Sequence, residues 1–255
     1  MTVAHTDVTI DWYGNATIRL EGDGTVIYFD PGRYGVLTGE WESNNEHTAN
    51  AHPSGPAQQP ADADLVCITH VHHYDPDGIE RVADGDTTVV AFDGMNIRGS
   101  SRDLPRLVDL PHTVVELGME DEAVLADQPV WTVPAYNDPD GPRTRPDGTP
   151  FHPEGRGCGY LLSVGGTRVF WPGDSDVLDG HDQLDVDVFL PPIGGTTTMD
   201  RHEAADLAVA LDPELVVPIH YNTFAALETD SRAFATDVAS QGIAVALDEK
   251  DLPRI

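Results

Sequence analysis

The chain has 255 residues, 40% of them hydrophobic, which suffices for the core of one large α/β domain and excludes disordered or collagen-like composition. Its 44 acidic against 14 basic residues leave a net charge of −30, so phosphate backbones and anionic lipid surfaces would repel it. Neither a nucleic-acid nor a membrane partner is expected. Aspartates outnumber glutamates 31 to 13, and Lys250 is the one lysine beside thirteen arginines. This balance resembles that of proteins from halophiles, where molar salt shortens the Debye length to roughly 3 Å and screens self-repulsion.

Two cysteines, Cys67 and Cys158, each sit in an apolar run, which excludes a disulfide framework and gives no Cys-x-x-Cys metal pair. The segment Met1–Asp11 has neither a cationic start nor an apolar stretch, and no run approaches the ~18 apolar residues of a membrane span. A cytoplasmic protein is expected.

The chain opens with β-type runs at Val8–Tyr13, Ala16–Leu20 and Thr25–Phe29, punctuated by Gly14-Asn15 and Gly22-Asp23-Gly24 as hairpins require. From about 35 to 63 the apolar pattern collapses into a long polar loop, placed over the site rather than at a domain boundary. Further on, the pattern predicts strands at Leu65–Thr69, Thr87–Phe92, Thr113–Leu117 and Val130–Ala135, with a helix at Pro76–Ala83. A Gly/Pro-rich stretch at 138–157 leads to strands at Tyr160–Val164, Thr167–Trp171 and Val186–Leu190. Asp200 and Glu203 have capping-box spacing before a helix ending at Leu211. A strand at Val216–Ile219, a helix at Ser231–Ser240 and a strand at Ile243–Leu247 complete one domain spanning 1–255. Many short strands with few helices argue for two packed sheets flanked by helices.

Three strand ends carry metal-ligand side chains. Thr69-His70-Val71-His72-His73-Tyr74-Asp75 follows an apolar strand, and alternation points His70 and His72 the same way. Trp171-Pro172-Gly173-Asp174 and Pro218-Ile219-His220 end two others. Gly-x-Ser-x-Gly and Gly-Lys-Ser/Thr motifs are absent, and the glycines of Gly155–Tyr160 are misplaced for a dinucleotide loop.

The order Gly14-Asn15-Ala16-Thr17, Asp30-Pro31, Thr69-His70-x-His72, Val133-Pro134-Ala135-Tyr136, Gly157-x-Gly159-Tyr160, Gly173-Asp174-Ser175-Asp176 and Pro218-x-His220-Tyr221 resembles the metallo-β-lactamase superfamily. More narrowly, it resembles the ascorbate-phosphate lactonase-like hydrolases of that superfamily. The resemblance implies a four-layer αββα sandwich of two mixed sheets flanked by helices, with a metal site at one edge. It also implies attack by a metal-activated water on an ester, lactone or phosphoester. His70, His72, Asp174 and His220 match family ligands. Where the family motif continues with aspartate and histidine, this chain has Tyr74 and Asp75, so either Asp75 replaces the histidine as a ligand or it acts as the motif aspartate with His73 turned elsewhere. Asn137 and Asn15 occupy positions where the branch often has histidine.

The expected metal ligands are therefore His70, His72, Asp75, Asp174 and His220, with Asn137 as a weak one, and they suit one ion rather than two, zinc first, manganese or iron otherwise. Asp75, Asp174 and His73 are the expected catalytic groups, the carboxylates orienting water and His73, with Tyr74 and His152, supporting protonation of the leaving group. Trp41 and Tyr136 are expected apolar walls, and Arg143, Arg145 and Arg156 would receive an anionic group on a small-molecule substrate. Self-association into a homo-oligomer is left open. The rival reading is a non-catalytic sandwich that binds a ligand or assembles through a degenerate site, favoured by Tyr74, Pro76 and Asn137.

Overall fold

The computed structural model describes residues 2–40 and 57–247, so Trp41 and most of the expected polar loop lie outside the described residues. Among the described residues, fourteen strands form two seven-stranded sheets. The first sheet contains β1 (Thr2–His5), β2 (Val8–Gly14), β3 (Thr17–Gly22), β4 (Thr25–Phe29), β5 (Ala63–Ile68), β6 (Ala83–Phe92) and β7 (Thr113–Leu117), in sequence order. The second contains β8 (Glu122–Leu125), β9 (Gln128–Pro134), β10 (Cys158–Val164), β11 (Thr167–Trp171), β12 (Val188–Phe189), β13 (Leu215–Val216) and β14 (Ala244–Val245), again in order. Each sheet starts as an antiparallel meander and ends in parallel strands, the change falling at β4 and β11 respectively.

Alternation along the strands builds the layers. In β4, Ile27 and Phe29 join the large core between the sheets, whereas Val26 and Tyr28 face a second cluster with Ile79 and Val82 of helix α1 (Pro76–Val82). Helices α2 (Arg201–Leu211) and α3 (Ser231–Ala239) pack together and contribute Leu207, Ala208, Phe234 and Val238 to the large core with the second sheet. The two mixed sheets with helices packed against them form the expected α/β sandwich.

Local chemistry explains most element ends. The capping box of α2 forms as read, with Asp200 accepting from His202 and Glu203 and the Glu203 side chain accepting from the Asp200 N–H. Strands β1 and β8 escaped the sequence reading because they are short and lack a buried apolar face. The strand expected over Val216–Ile219 is shorter, at Leu215–Val216, with only an isolated bridge from Ile219 to Pro192.

Candidate metal centre

Four parallel-strand ends converge at one edge of the sandwich. β4 delivers Asp30, β5 delivers His70, His72 and His73, β11 delivers Asp174, and the segment after β13 delivers His220. Two of these residues, Asp30 and His220, hold left-handed backbone, with φ of 44° and 54°. A non-glycine residue in that region is strained, and such strain persists where surrounding structure enforces it. For His220 the enforcement includes its N–H, which donates to Asn15 O at 3.0 Å.

The Gly157-x-Gly159-Tyr160 segment clamps the histidine strand. Tyr160 Oη donates to Ile68 O at 3.0 Å, and Cys158 N donates to Thr69 O at 3.1 Å. A Cβ on Gly157 would lie 2.8 Å from His70 Cβ, so only glycine permits this approach.

Asp174 lies at the centre of the cluster. Its Oδ2 is 3.8 Å from His70 Nε2 and 3.4 Å from His152 Nε2, while its Oδ1 is 3.5 Å from His73 Nε2 and 3.3 Å from His220 Nε2. His72 Nδ1 stands 3.2 Å from His152 Nε2, and the Nε2 atoms of His73 and His220 are 3.3 Å apart. All of these side chains except His72, at the mouth, are buried.

Outer contacts set the ring tautomers. Asp30, fully buried, accepts from Thr69 N at 2.8 Å, Thr69 Oγ1 at 2.8 Å and Trp171 Nε1 at 2.9 Å, and faces His73 Nδ1 at 3.0 Å. A carboxylate only accepts, so His73 Nδ1 carries hydrogen and, in the neutral ring, Nε2 presents its lone pair inward. Because the Thr69 hydroxyl is spent on Asp30, His70 Nδ1 donates to Thr69 Oγ1, 3.0 Å away. His152 Nδ1 likewise donates to Thr197 O at 3.0 Å. The ring lone pairs of His70, His73 and His152 thus face the oxygens of Asp174. His70 Nε2 and Asp174 Oδ1 are buried without a hydrogen bond among the described residues. Buried acceptors arranged this way fit a cation, and imidazole with carboxylate is a donor set for zinc, iron or manganese.

Electrostatics agree. Burial, reinforced by the neighbouring rings against the pull of Asp174, holds His70 well below the ordinary histidine range, and burial lowers His152 to about 4. Burial lowers His220 too. Burial also opposes charge on His73, but Asp174 and Asp30 outweigh it and raise that ring. For Asp174, burial favours the neutral acid, yet the surrounding imidazoles, His220 and His73 foremost, hold it below the usual carboxylate range. Three rings are thus pushed toward the neutral form, while Asp174 and Asp30 favour the charged form of His73, and ring protonation and the charge on Asp174 are coupled.

Several expectations need correcting. Asp75 is the N-cap of α1: its carboxylate faces the Gly78 N–H at 3.4 Å, and no close contact joins it to the histidines. Tyr74 points into the apolar cluster under α1. His73, expected as a proton-transfer group, stands among the ligand atoms instead, because the chain turns back over His70 O with both His73 N and Tyr74 N at 3.1 Å. Asn137 does not face the cluster. Its Nδ2 donates to Asp176 Oδ1 and Thr197 O, each at 3.0 Å, and its Oδ1 accepts from His152 N at 2.9 Å. It holds the main chain at His152. Arg143 is buried and committed to Asp176, at 3.0 Å, and to Glu203. Tyr136 is half-buried and does not line the cavity beside the cluster, to which Ala135 contributes. Asp30 was present in the motif order, but nothing in the sequence separates a buried orienting carboxylate from turn chemistry.

A cavity of about 450 Å³ opens beside the cluster, lined by His70, His72, His152 and Asp174 and by Arg33, Arg102, Arg145 and Arg156. No helix among the described residues is long and apolar enough to cross a membrane.

Comparison with known proteins agrees with this geometry. Residues 9–220 match the Beta-lactamase superfamily domain. The chain is 27% identical over 240 residues to a UPF0173 metal-dependent hydrolase of Thermococcus onnurineus, covering 89% of this chain and 90% of the relative. It is 28% identical over 244 residues to one of Archaeoglobus fulgidus, covering 92% and 93%. In fold it is similar to Igni18, a metallo hydrolase of Ignicoccus hospitalis, with a TM-score of 0.65 and 22% identity over 96% of both chains. The isothiocyanate hydrolase from Delia radicum gut bacteria shares the fold with a TM-score of 0.61 and 12% identity over 95% of both. With the match running from β2 to the final histidine of the cluster, the chain belongs to the metallo-β-lactamase superfamily.

Proposed function

We propose that the protein is a metal-dependent hydrolase acting on an ester, lactone or phosphoester of a small molecule. The arrangement around Asp174 carries this reading. One carboxylate oxygen faces His70 and His152, with His72 adjoining, and the other faces His73 and His220. His70, His72 and His152 group closely enough to hold a cation, as do His70, His73 and Asp174 with His220 beside them, so these donors would hold two ions rather than the one expected from sequence. A divalent cation there supplies Lewis-acid polarisation and nucleophilic water at neutral pH.

The chain's own residues do the rest. Asp30, Thr69 and the Thr197 carbonyl hold three rings in the tautomer that aims Nε2 inward. Asp174, kept ionised, links the two donor sets. The cavity beside them admits a ligand of small-metabolite size. The curated relatives carry the name metal-dependent hydrolase, and the motif order's likeness to the ascorbate-phosphate lactonase-like branch supports a lactone or phosphoester. Zinc is the first candidate for such a donor set, with manganese or iron next.

Metal analysis of protein purified without added ions, followed by an ester, lactone and phosphodiester panel in molar KCl, tests the reading. Close to two equivalents of transition metal and chelator-sensitive turnover are expected. Below a tenth of an equivalent, with no gain on reconstitution, the non-catalytic alternative stands instead.

A further inference from the structure

The arginines that line the cavity differ from most others among the described residues, Arg98 excepted. In a chain of net charge −30, Arg19, Arg81, Arg106, Arg143, Arg168 and Arg201 each pair with a carboxylate. Arg33, Arg102, Arg145 and Arg156, which line the cavity, pair with none among the described residues. Three of them are fixed by neutral groups. Arg33 Nε donates to His72 O at 2.7 Å, Arg102 Nη2 to Val71 O at 2.6 Å, and Arg145 Nη1 and Nη2 to Pro150 O and Phe151 O at 2.6 and 3.2 Å. These carbonyls belong to the histidine motif on one wall and to the residues just before His152 on the other. The guanidiniums are thereby oriented while keeping their charge, and part of each donor fork remains unused.

Clustering like charges costs energy unless something negative compensates them. Burial, and next the Arg33 charge, lowers Arg102 against the pull of Asp75, and both Arg102 and Arg145 act on the His72 ring. Asp174, already surrounded by imidazoles, is the one carboxylate lining the cavity. We infer that the substrate carries a phosphate group bound by Arg33 and Arg102 from one wall and Arg145 and Arg156 from the other. A carboxylate engages one fork. A phosphate, with charge near −2 and three acceptor oxygens, engages two or three at once.

This inference rests on the hydrolase reading for its location only, and it is tested by binding rather than turnover. Inorganic phosphate is titrated calorimetrically into the purified protein, with and without prior chelation, at fixed KCl. Expected are saturable binding that survives chelation, at least tenfold weakening in Arg102→Gln and Arg145→Gln, weakening of about threefold or more in Arg156→Gln, and a change under twofold in Arg81→Gln. Acetate should bind at least tenfold more weakly than phosphate. Arg156 is exposed and makes no hydrogen bond among the described residues, so its variant reads binding even if the others fail to fold. Absence of saturable phosphate binding, binding lost on chelation, or equal affinity in the Arg156→Gln variant would overturn the inference. Retained phosphate binding in a protein without metal or turnover would instead remove the hydrolase reading and leave this one standing.

Discussion

The main-chain N–H of His152 donates to Asn137 Oδ1 at 2.9 Å, while Asn137 Nδ2 is anchored on Asp176 Oδ1 and Thr197 O. The asparagine is a buried strut that delivers a histidine from a distant loop to the cluster. Asn137→Ala should lower metal affinity about 10- to 100-fold, the range for groups that orient ligands, without removing a ligand atom. Competition with a chromophoric chelator measures it; unchanged affinity would show that His152 needs no strut.

Asp75 caps α1, whereas His152 stands among the donor atoms around Asp174. Asp75→Ala should retain full metal occupancy and lose about 1 kcal/mol of stability as a helix cap is removed. His152→Ala should lose metal on the side facing His70. Metal content and denaturant melts of the two variants separate the outcomes, and metal loss in Asp75→Ala would contradict the assignment.

Asp30→Asn tests the orienting carboxylate. An amide in its place leaves a buried donor beside Thr69, Trp171 and His73, which all face the native carboxylate as donors. A loss of about 3 kcal/mol is expected, together with weaker metal binding. Equal stability by chemical denaturation would deny Asp30 its role.

His181 provides a pH effect outside the cluster. Its Nδ1 accepts from Leu178 N at 3.3 Å and its Nε2 donates to Pro134 O at 2.8 Å, so the fold uses the neutral ring, and burial lowers its pKa. The unfolded chain takes up the proton first as pH falls below about 6.5, so this contribution to stability is present above that pH and is lost as pH drops through the folded pKa. His181→Gln should flatten that part of the stability profile. An identical slope in both proteins would contradict it.

The acidic surface predicts a melting temperature that rises steeply between low and molar KCl as repulsion is screened. A flat curve would exclude dependence on salt.

How much of this was legible beforehand follows from range of interaction. Hairpin turns, the α2 cap and the strands feeding the cluster were readable because glycine punctuation, capping spacing and alternation are local. His70, His72, Asp174 and His220 were readable as strand ends. His152 was readable only as a supporting group, since an isolated histidine in a Gly/Pro-rich loop carries no period and the fold brings it 3.4 Å from Asp174. The turn over His70 O that sets His73 among the histidines is not visible in the sequence, and a helix cap such as Asp75 uses the same aspartate chemistry as a ligand. The arginine set was half seen: Arg145 and Arg156 line the cavity, whereas Arg143 is captured by carboxylates from two distant segments.

The central claim is that Asp174 bridges two cation positions, and anomalous diffraction at the metal edge from crystals of the metal-loaded protein tests it most directly. Two peaks are predicted, one among His70, His72 and His152 and one between His73 and His220, each within coordination distance of an Asp174 oxygen. A peak on Asp75 or Asn137, or none beside Asp174 in protein shown to hold metal, would contradict it.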